Sequence, residues 1–340
     1  MLAAYVDKRL NGEMIKLTKK KKIILAATVI AAALLSVFLL TRGEDIVTEI
    51  TQPDKKYFSQ ITGAEVSKDE SEQPILGVMI ENSEEARPQS GLDSAGVVFE
   101  TVTEGGITRY LALYQEKMPE VVGPVRSARP AFVNWLTGFD ASLAHVGGSA
   151  EALELIDQYQ AKSMNQYFND AQYYRRNDRE APHDVYAKTK DLRDLQKELK
   201  HKKATFAEIP RSNDSPSATP TASLISLEFS HPIFGVQFKY DATTNSYARS
   251  LAGAPHLDEI TNQPITVKNL VVVKMTGDIN ALGSGEAFLY KDGIVETVRW
   301  QQSDFDSRIK LLDSSGTEVA MNRGDTWFSV LPGNGTVTNQ

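Results

Sequence analysis

Residues 23–40 are an eighteen-residue run without a charged side chain or a helix breaker. As a helix rising about 1.5 Å per residue, such a run is about 27 Å long, close to the hydrocarbon thickness of a bilayer. It is apolar on every face, which does not suit a surface helix packed on a globular core. The flanks differ sharply. Residues 1–22 carry seven Lys/Arg (Lys8, Arg9, Lys16, Lys19, Lys20, Lys21, Lys22) against Asp7 and Glu13, a net +5, so the overall −7 leaves −12 beyond them. Glu44, Asp45 and Glu49 soon follow the run. Basic residues stay on the cytoplasmic side, which predicts a cytoplasmic tail over 1–22, a transmembrane helix over 23–41, and everything from residue 42 outside the cell membrane. The alternative is a cleaved secretory signal. Signal cores are usually about 7–15 residues and end at small residues, whereas this run ends Phe38-Leu39-Leu40-Thr41-Arg42-Gly43. The sequence therefore reads as a retained single-pass anchor.

The rest of the chain is ordinary globular sequence: 340 residues in all, 41% hydrophobic and 24% charged, enough for two domains. The absence of cysteine excludes disulfides, thiolate metal sites and a cysteine nucleophile. The acidic balance argues against nucleic acid as a partner. No Walker P-loop occurs, and Gly283-Ser284-Gly285 lacks the strand–helix setting of a dinucleotide site, so no cofactor is expected. Ser307-Arg308-Ile309-Lys310 fits S-x-x-K but has no companion motif.

Residues 42–56 are polar and contain Pro53, and read as a tether. Strands are predicted at 75–80, 96–103, 108–115 and 141–146, and helices at 130–137, 150–159 and 189–200. A Ser/Pro/Thr-rich stretch over 207–221 reads as a linker. Beyond it apolar runs at 271–275, 287–290, 294–300, 309–312 and 327–331 read as strands, with Asp292-Gly293 as a hairpin turn. The expected fold is a mixed α/β domain over 57–206 and a mainly antiparallel β domain over 222–336.

Four constellations carry candidate chemistry. Alternation puts Val98, Glu100 and Val102 on one strand face, and a two-residue loop at Gly105-Gly106 sets Glu104 opposite Ile107, Val102 opposite Arg109 and Glu100 opposite Leu111. Glu100 and Arg109 are then diagonal neighbours on an otherwise apolar face, and a carboxylate in an apolar row needs a partner. They form a structural ion pair or border a pocket with Glu104 at its rim. Arg126, Ser127 and Arg129 follow a Gly-Pro turn and meet a helix start, and with Arg87 and Arg109 form a cationic cluster suited to carboxylate or phosphate, or else a solvated arginine pair. His145 precedes Gly147, Gly148 and Ser149, a strand-to-helix turn that offers an anion cradle or a packed histidine beside a capped helix. His183 with Asp184 and His256 with Asp258 stand in two polar loops, and no pair has metal-ligand spacing, so no metal is expected.

Several stretches, in this order, resemble the YerB-like family (domain of unknown function 3048) of extracytoplasmic bacterial proteins. They are GVMIENSEEARP (77–88), FETVTEGGITRYL (99–111), VGPVRSAR (122–129), HVGGS (145–149), APHDVY (181–186), APHLD (254–258) and MNRGDTWFSV (321–330). The resemblance implies two such domains and no agreed enzymatic activity. It carries over Glu81, Asn82, Arg87, Glu100, Glu104, Arg109, Arg126, Ser127, Arg129, His145, Arg179, His183 and His256 as site candidates. Family members are often lipoproteins. Without cysteine this chain has no lipobox, so the transmembrane helix takes the place of an acyl anchor.

These readings converge on a membrane-anchored envelope protein that binds an anionic ligand in an arginine-rich cleft, a peptidoglycan carboxylate or the phosphate of a polymer or lipid. Two other functions fit the same residues. One is a cell-wall hydrolase or transferase with Glu104, His145 or His183 as acid/base, for which a raised carboxyl pKa is expected. The other is a scaffold for an envelope protein.

Overall fold

The computed structural model describes residues 18–51 and 55–340. Most of the basic tail, residues 1–17, lies outside the described residues. The chain divides into two units, residues up to Lys55 and Lys56–Gln340. In the first, helix α1 spans Lys19–Thr51, and its Lys19–Phe38 portion is long and apolar enough to cross a membrane. The helix does not stop at residue 41 as expected: ten residues assigned to the tether, 42–51, are helical. Gly43 alone is a weak breaker, costing about 1 kcal/mol in a helix, and the next strong one in the sequence is Pro53.

The second unit is strand-rich with few helices. Its strands include β1 (Leu76–Glu81), β2 (Val97–Val102), β3 (Thr108–Tyr114), β4 (Ser142–His145), β5 (Lys162–Asn165), β6 (Leu224–Glu228) and β7 (Val236–Asp241). They continue with β8 (Ser246–Leu251), β9 (Asn269–Lys274), β10 (Gly283–Lys291), β11 (Ile294–Gln302), β12 (Lys310–Leu312), β13 (Thr326–Leu331) and β14 (Thr336–Asn339). Ten of these form one mixed sheet in the order β12-β11-β10-β9-β13-β2-β3-β1-β4-β5. Its centre joins the two halves of the sequence: β13 pairs in parallel with β2, Thr326 opposite Val97 through Ser329 opposite Glu100. The β1, β2, β3 and β13 side chains are almost all buried, which is why these segments are mostly apolar and why the polar residues within β2 and β3 need partners.

Each face of the sheet is covered. On one side α3 (Pro130–Thr137; α2 is the single turn Lys68–Ser71) lays Trp135 on Phe99 at 5.3 Å, and Phe99 stacks on Phe328 at 4.6 Å. Pro130 starts that helix without losing a hydrogen bond, and Asn280 Oδ1 from the distant half accepts the Ala131 N–H at 3.2 Å. On the other side lies a six-stranded sheet containing β8-β7-β6-β14. Its β7 alternates buried and exposed, the pattern of a sheet with one wet face. Phe238 and Tyr247 from this sheet join Val98, Tyr110 and Trp327 in one apolar cluster. Residues 207–221, expected as a linker, include Arg211–Ser212, which pair in parallel with Met321–Asn322.

The hairpin register differs from the expected one. The turn is a 3-10 turn over Glu104–Gly106, closed by Thr103 N–H to the Ile107 carbonyl at 2.7 Å. Gly105 and Gly106 have φ of +66° and +75°, values that favour glycine. The pairing is Val102 with Thr108, Thr101 with Arg109 and Glu100 with Tyr110. A shift of one residue moves a side chain to the other face, so Glu100 and Arg109 lie on opposite sides of the sheet and do not pair.

Candidate functional site

Glu100 finds its partner 149 residues away. Arg249 on β8 donates through Nη2 to both carboxylate oxygens, at 2.9 and 2.8 Å, and both side chains are wholly buried. Trp327 Nε1 adds a bond at 3.0 Å, and the indole ring lies 4.7 Å from the guanidinium. From this pair a closed circuit runs through the interior. Arg249 Nη1 contacts His256 Nδ1. Because arginine only donates, Nδ1 accepts and the proton sits on Nε2, which meets Gln89 Oε1 at 2.9 Å. Gln89 Nε2 donates to Asn82 Oδ1 at 2.9 Å, Asn82 Nδ2 to Thr108 at 2.6 Å, and the Thr108 hydroxyl to Glu100 at 3.2 Å. Arg87 binds Asn82 Oδ1 and its carbonyl, both at 3.1 Å. Burial, with Arg249 and Arg87 beside it, holds the His256 pKa well below the usual histidine range, consistent with the neutral tautomer. Thus Asn82, Arg87, Glu100 and His256 come together as a fastening between the two halves.

A second group does reach solvent. Glu81, nearly buried at the end of β1, sits between Arg126 (Nε 3.0 Å from Oε1, an ion pair rather than an aligned hydrogen bond) and His183 (Nδ1 2.9 Å from Oε2). Arg129 Nε meets Glu104 at 2.5 Å, on a turn where the carboxylate is largely exposed. Arg109, 5% exposed, has no carboxylate within ion-pair distance among the described residues. Its Nη1 donates to the Ser127 carbonyl at 2.9 Å, and its Nε is buried without a partner. Burial pushes the Arg109 pKa down to about 10, and the charges of Arg129 and Arg126 push in the same direction. Arg129, alone of these arginines, lines a cleft of about 340 Å³ whose walls also include Thr101, Glu104, Ser149, Glu151 and Asn280. Thr101 is the register partner of Arg109, which places the buried guanidinium on the cleft's side of the sheet.

Other expected residues do different work. His145 is fully buried, bonded through Nδ1 to the Gly147 carbonyl at 2.6 Å and through Nε2 to Ser163 at 2.9 Å, and burial lowers its pKa. The turn after it is not an open cradle: Gly147 N–H goes to Asn165 Oδ1 at 3.0 Å and Ser149 N–H to the Ala128 carbonyl. Gly148 bridges to Ala128, and Ser149 Oγ caps α4 (Ala150–Gln158) at Ala152. Ser127 contributes its carbonyl to Arg109. Arg179 clamps the carbonyls of Glu85, Arg87 and Pro88 at 3.0–3.1 Å and pairs with Glu259 at 3.0 Å. The three histidines have no direct contact with one another; His183 and His256 are linked only through Glu81 and Gln89. Glu104 also departs from the acid expected of a hydrolase: burial pushes its carboxyl pKa up, but the Arg129 hydrogen bond, a backbone hydrogen bond and the charges of Arg129 and Arg109 together outweigh it, and the net shift is downward.

Arg249, Trp327, Gln89 and Glu259 escaped the sequence reading. Arg249 had a signal. It shares a strand face with Tyr247 and Leu251, a charge in an apolar row exactly as conspicuous as Glu100.

The comparisons agree with this architecture. Residues 61–204 match the family model described as "Protein of unknown function (DUF3048) N-terminal domain", and residues 225–328 match the corresponding C-terminal domain. The chain is similar to "Putative lipoprotein YerB" of Bacillus subtilis (strain 168), at 29% identity over 313 residues, covering 88% of this chain and 94% of that one. It also resembles the crystal structure of the YerB protein from Bacillus subtilis, with a TM-score of 0.73 and 27% identity over 84% of this chain and all of the other.

Proposed function

The chain belongs to the DUF3048 family, and from that premise we propose that it is a membrane-anchored extracytoplasmic protein whose Arg109–Arg126–Arg129 cluster binds an anionic group of the cell envelope. Residues 23–41 cross the membrane once, with the N-terminus in the cytoplasm, as the lysine asymmetry favours. The lipoprotein name of the Bacillus relative supports a tethered role. The single observation that carries the binding reading is Arg109. Three guanidiniums share one neighbourhood with two carboxylates, each of which pairs with another arginine, so the buried Arg109 feels Glu104 and Glu81 only from beyond ion-pair distance. A buried charge without a direct partner is costly, and an incoming carboxylate or phosphate relieves it. Muropeptides and polyprenyl or teichoic phosphates carry such groups.

Thermal unfolding of the full chain in neutral detergent, against a panel of these compounds, tests the reading. A ligand at about 100 times its dissociation constant adds about 2.7 kcal/mol of stability. The expected result is a shift with at least one compound that disappears in R126A/R129A. A folded protein shifted by none of them points to a protein-binding scaffold.

A second reading rests on a different contact. Glu81 accepts from His183 Nδ1 at 2.9 Å, which orients the imidazole as a general base or acid through Nε2. On this reading H183Q abolishes turnover of the bound compound while preserving its binding, and intact turnover refutes it.

A further inference from the structure

A second concavity, of about 410 Å³, lies away from the arginine cleft, between the turn at 58–63 and residues 203–211. Arg211 and Arg323 line it together with Phe58, Phe206 and Ile209. Both guanidiniums are fixed by main-chain carbonyls: Arg211 bonds the Asn322 carbonyl at 3.0 Å and that of Ile61, and Arg323 bonds that of Gly63. Carbonyls orient a guanidinium without neutralising it. Neither arginine forms an ion pair among the described residues, whereas the pocket's lysine, Lys203, is held by Glu72 at 2.8 Å. Arg211 Nε is buried with no partner. Burial first, and then the neighbouring Arg308 and Arg323, push the Arg211 pKa down to about 10. The one carboxylate on the wall, Glu208, is exposed.

The apolar half of the pocket is equally built. Phe58 is 39% exposed and lies under the Arg323 guanidinium at 4.5 Å. At Gly63 (φ +67°) a Cβ would meet Arg211 Cγ at 2.7 Å, so glycine makes the room that lets the arginine reach the floor. Phe58 also follows Phe38, the end of the membrane-crossing portion, by only 20 residues (58 − 38). The pocket wall is thus among the parts of the folded unit joined to the anchor by the shortest stretch of chain.

We propose that this pocket binds a phosphate carried on an apolar group, as at the headgroup of an anionic lipid, with Arg211 and Arg323 holding the phosphate and Phe58, Phe206 and Ile209 taking the hydrocarbon next to it. This site is separate from the Arg109 cluster, and its test is run in the R126A/R129A background so that anion binding there does not contribute. Full chain in dodecyl maltoside is titrated calorimetrically with inorganic phosphate, dihexanoyl phosphatidic acid and dihexanoyl phosphatidylcholine. The expected order is phosphatidic acid at least tenfold tighter than either of the others. R323Q weakens phosphatidic acid at least tenfold. F58A, at an exposed position, weakens phosphatidic acid and leaves inorganic phosphate unchanged, so it decides the matter if R323Q does not fold. Equal affinity for inorganic phosphate and phosphatidic acid overturns the lipid assignment, and binding of none of the three overturns the site.

Discussion

Replacing Arg249 with methionine isolates the contact that fastens the two halves of the chain. Glu100 is then left at zero exposure with only Thr108 and Trp327 as donors. Removing one partner of a buried ion pair costs about 3–5 kcal/mol, because the remaining charge has lost its compensation. The indole loses a guanidinium 4.7 Å away, a contact worth about 1–2 kcal/mol when desolvated. His256 Nδ1 also loses its donor. These terms overlap, and the expected loss is about 4 kcal/mol, a large part of the 5–15 kcal/mol that a folded protein typically has. Urea unfolding of the full chain at neutral pH, followed by tryptophan fluorescence, reads it directly, since Trp327 touches both partners. The double replacement E100M/R249M removes both charges, and is expected to be at least about 2 kcal/mol more stable than the sum of the single losses implies. A loss below about 1 kcal/mol in R249M, or strictly additive losses in the double variant, refutes the fastening role.

The buried histidines and the hairpin turn give two further predictions. His145 and His256 are both held neutral by burial. Their folded pKa values lie below the unfolded value of about 6.5, so the stability tied to them is complete above pH 6.5 and is lost as pH falls through that value toward the folded ones, at up to about 1.4 kcal/mol per pH unit for each. Urea unfolding between pH 7.5 and 5 checks this: H256Q is expected to flatten the dependence, and an unchanged slope contradicts it. Gly105→Ala meets no atom within 4 Å but must hold φ near +66°, so it is expected to cost about 1–2 kcal/mol; a neutral result in thermal unfolding shows that the turn relaxes.

Much of the local structure was legible because its signals are local. The capped start at Ser149, the Pro130 helix start and the apolar runs of β1, β9 and β13 all coincide with elements. The need for a partner at Glu100 was legible too. Its identity was not, because that depends on the parallel pairing of β2 with β13 and on β8 reaching the same interior, contacts between residues far apart in sequence. The error over Arg109 has a narrower cause. A Gly-Gly pair signals a turn but does not count its residues, and the 3-10 turn from Thr103 to Ile107 shifts the register by one. Within the candidate site, Arg126, Arg129, Glu104 and Glu81 were all candidates from the sequence, and the structure places them in two ion pairs. Sequence does not show which carboxylate neutralises which arginine, and the inference from Arg109 depends on that.

The most direct measurement is the affinity of the full chain, before and after Glu104→Gln, for whichever muropeptide, polyprenyl phosphate or teichoic phosphate shifts its thermal unfolding. Glu104 occupies Arg129 from an exposed turn, with 65% of its side chain accessible, and so competes with an incoming anion. Exposed ion pairs are worth about 0.2–1 kcal/mol, so removing the competitor is expected to tighten binding by up to about fivefold. Unchanged or weaker binding in a folded E104Q protein contradicts the claim that this arginine cluster is an anion site.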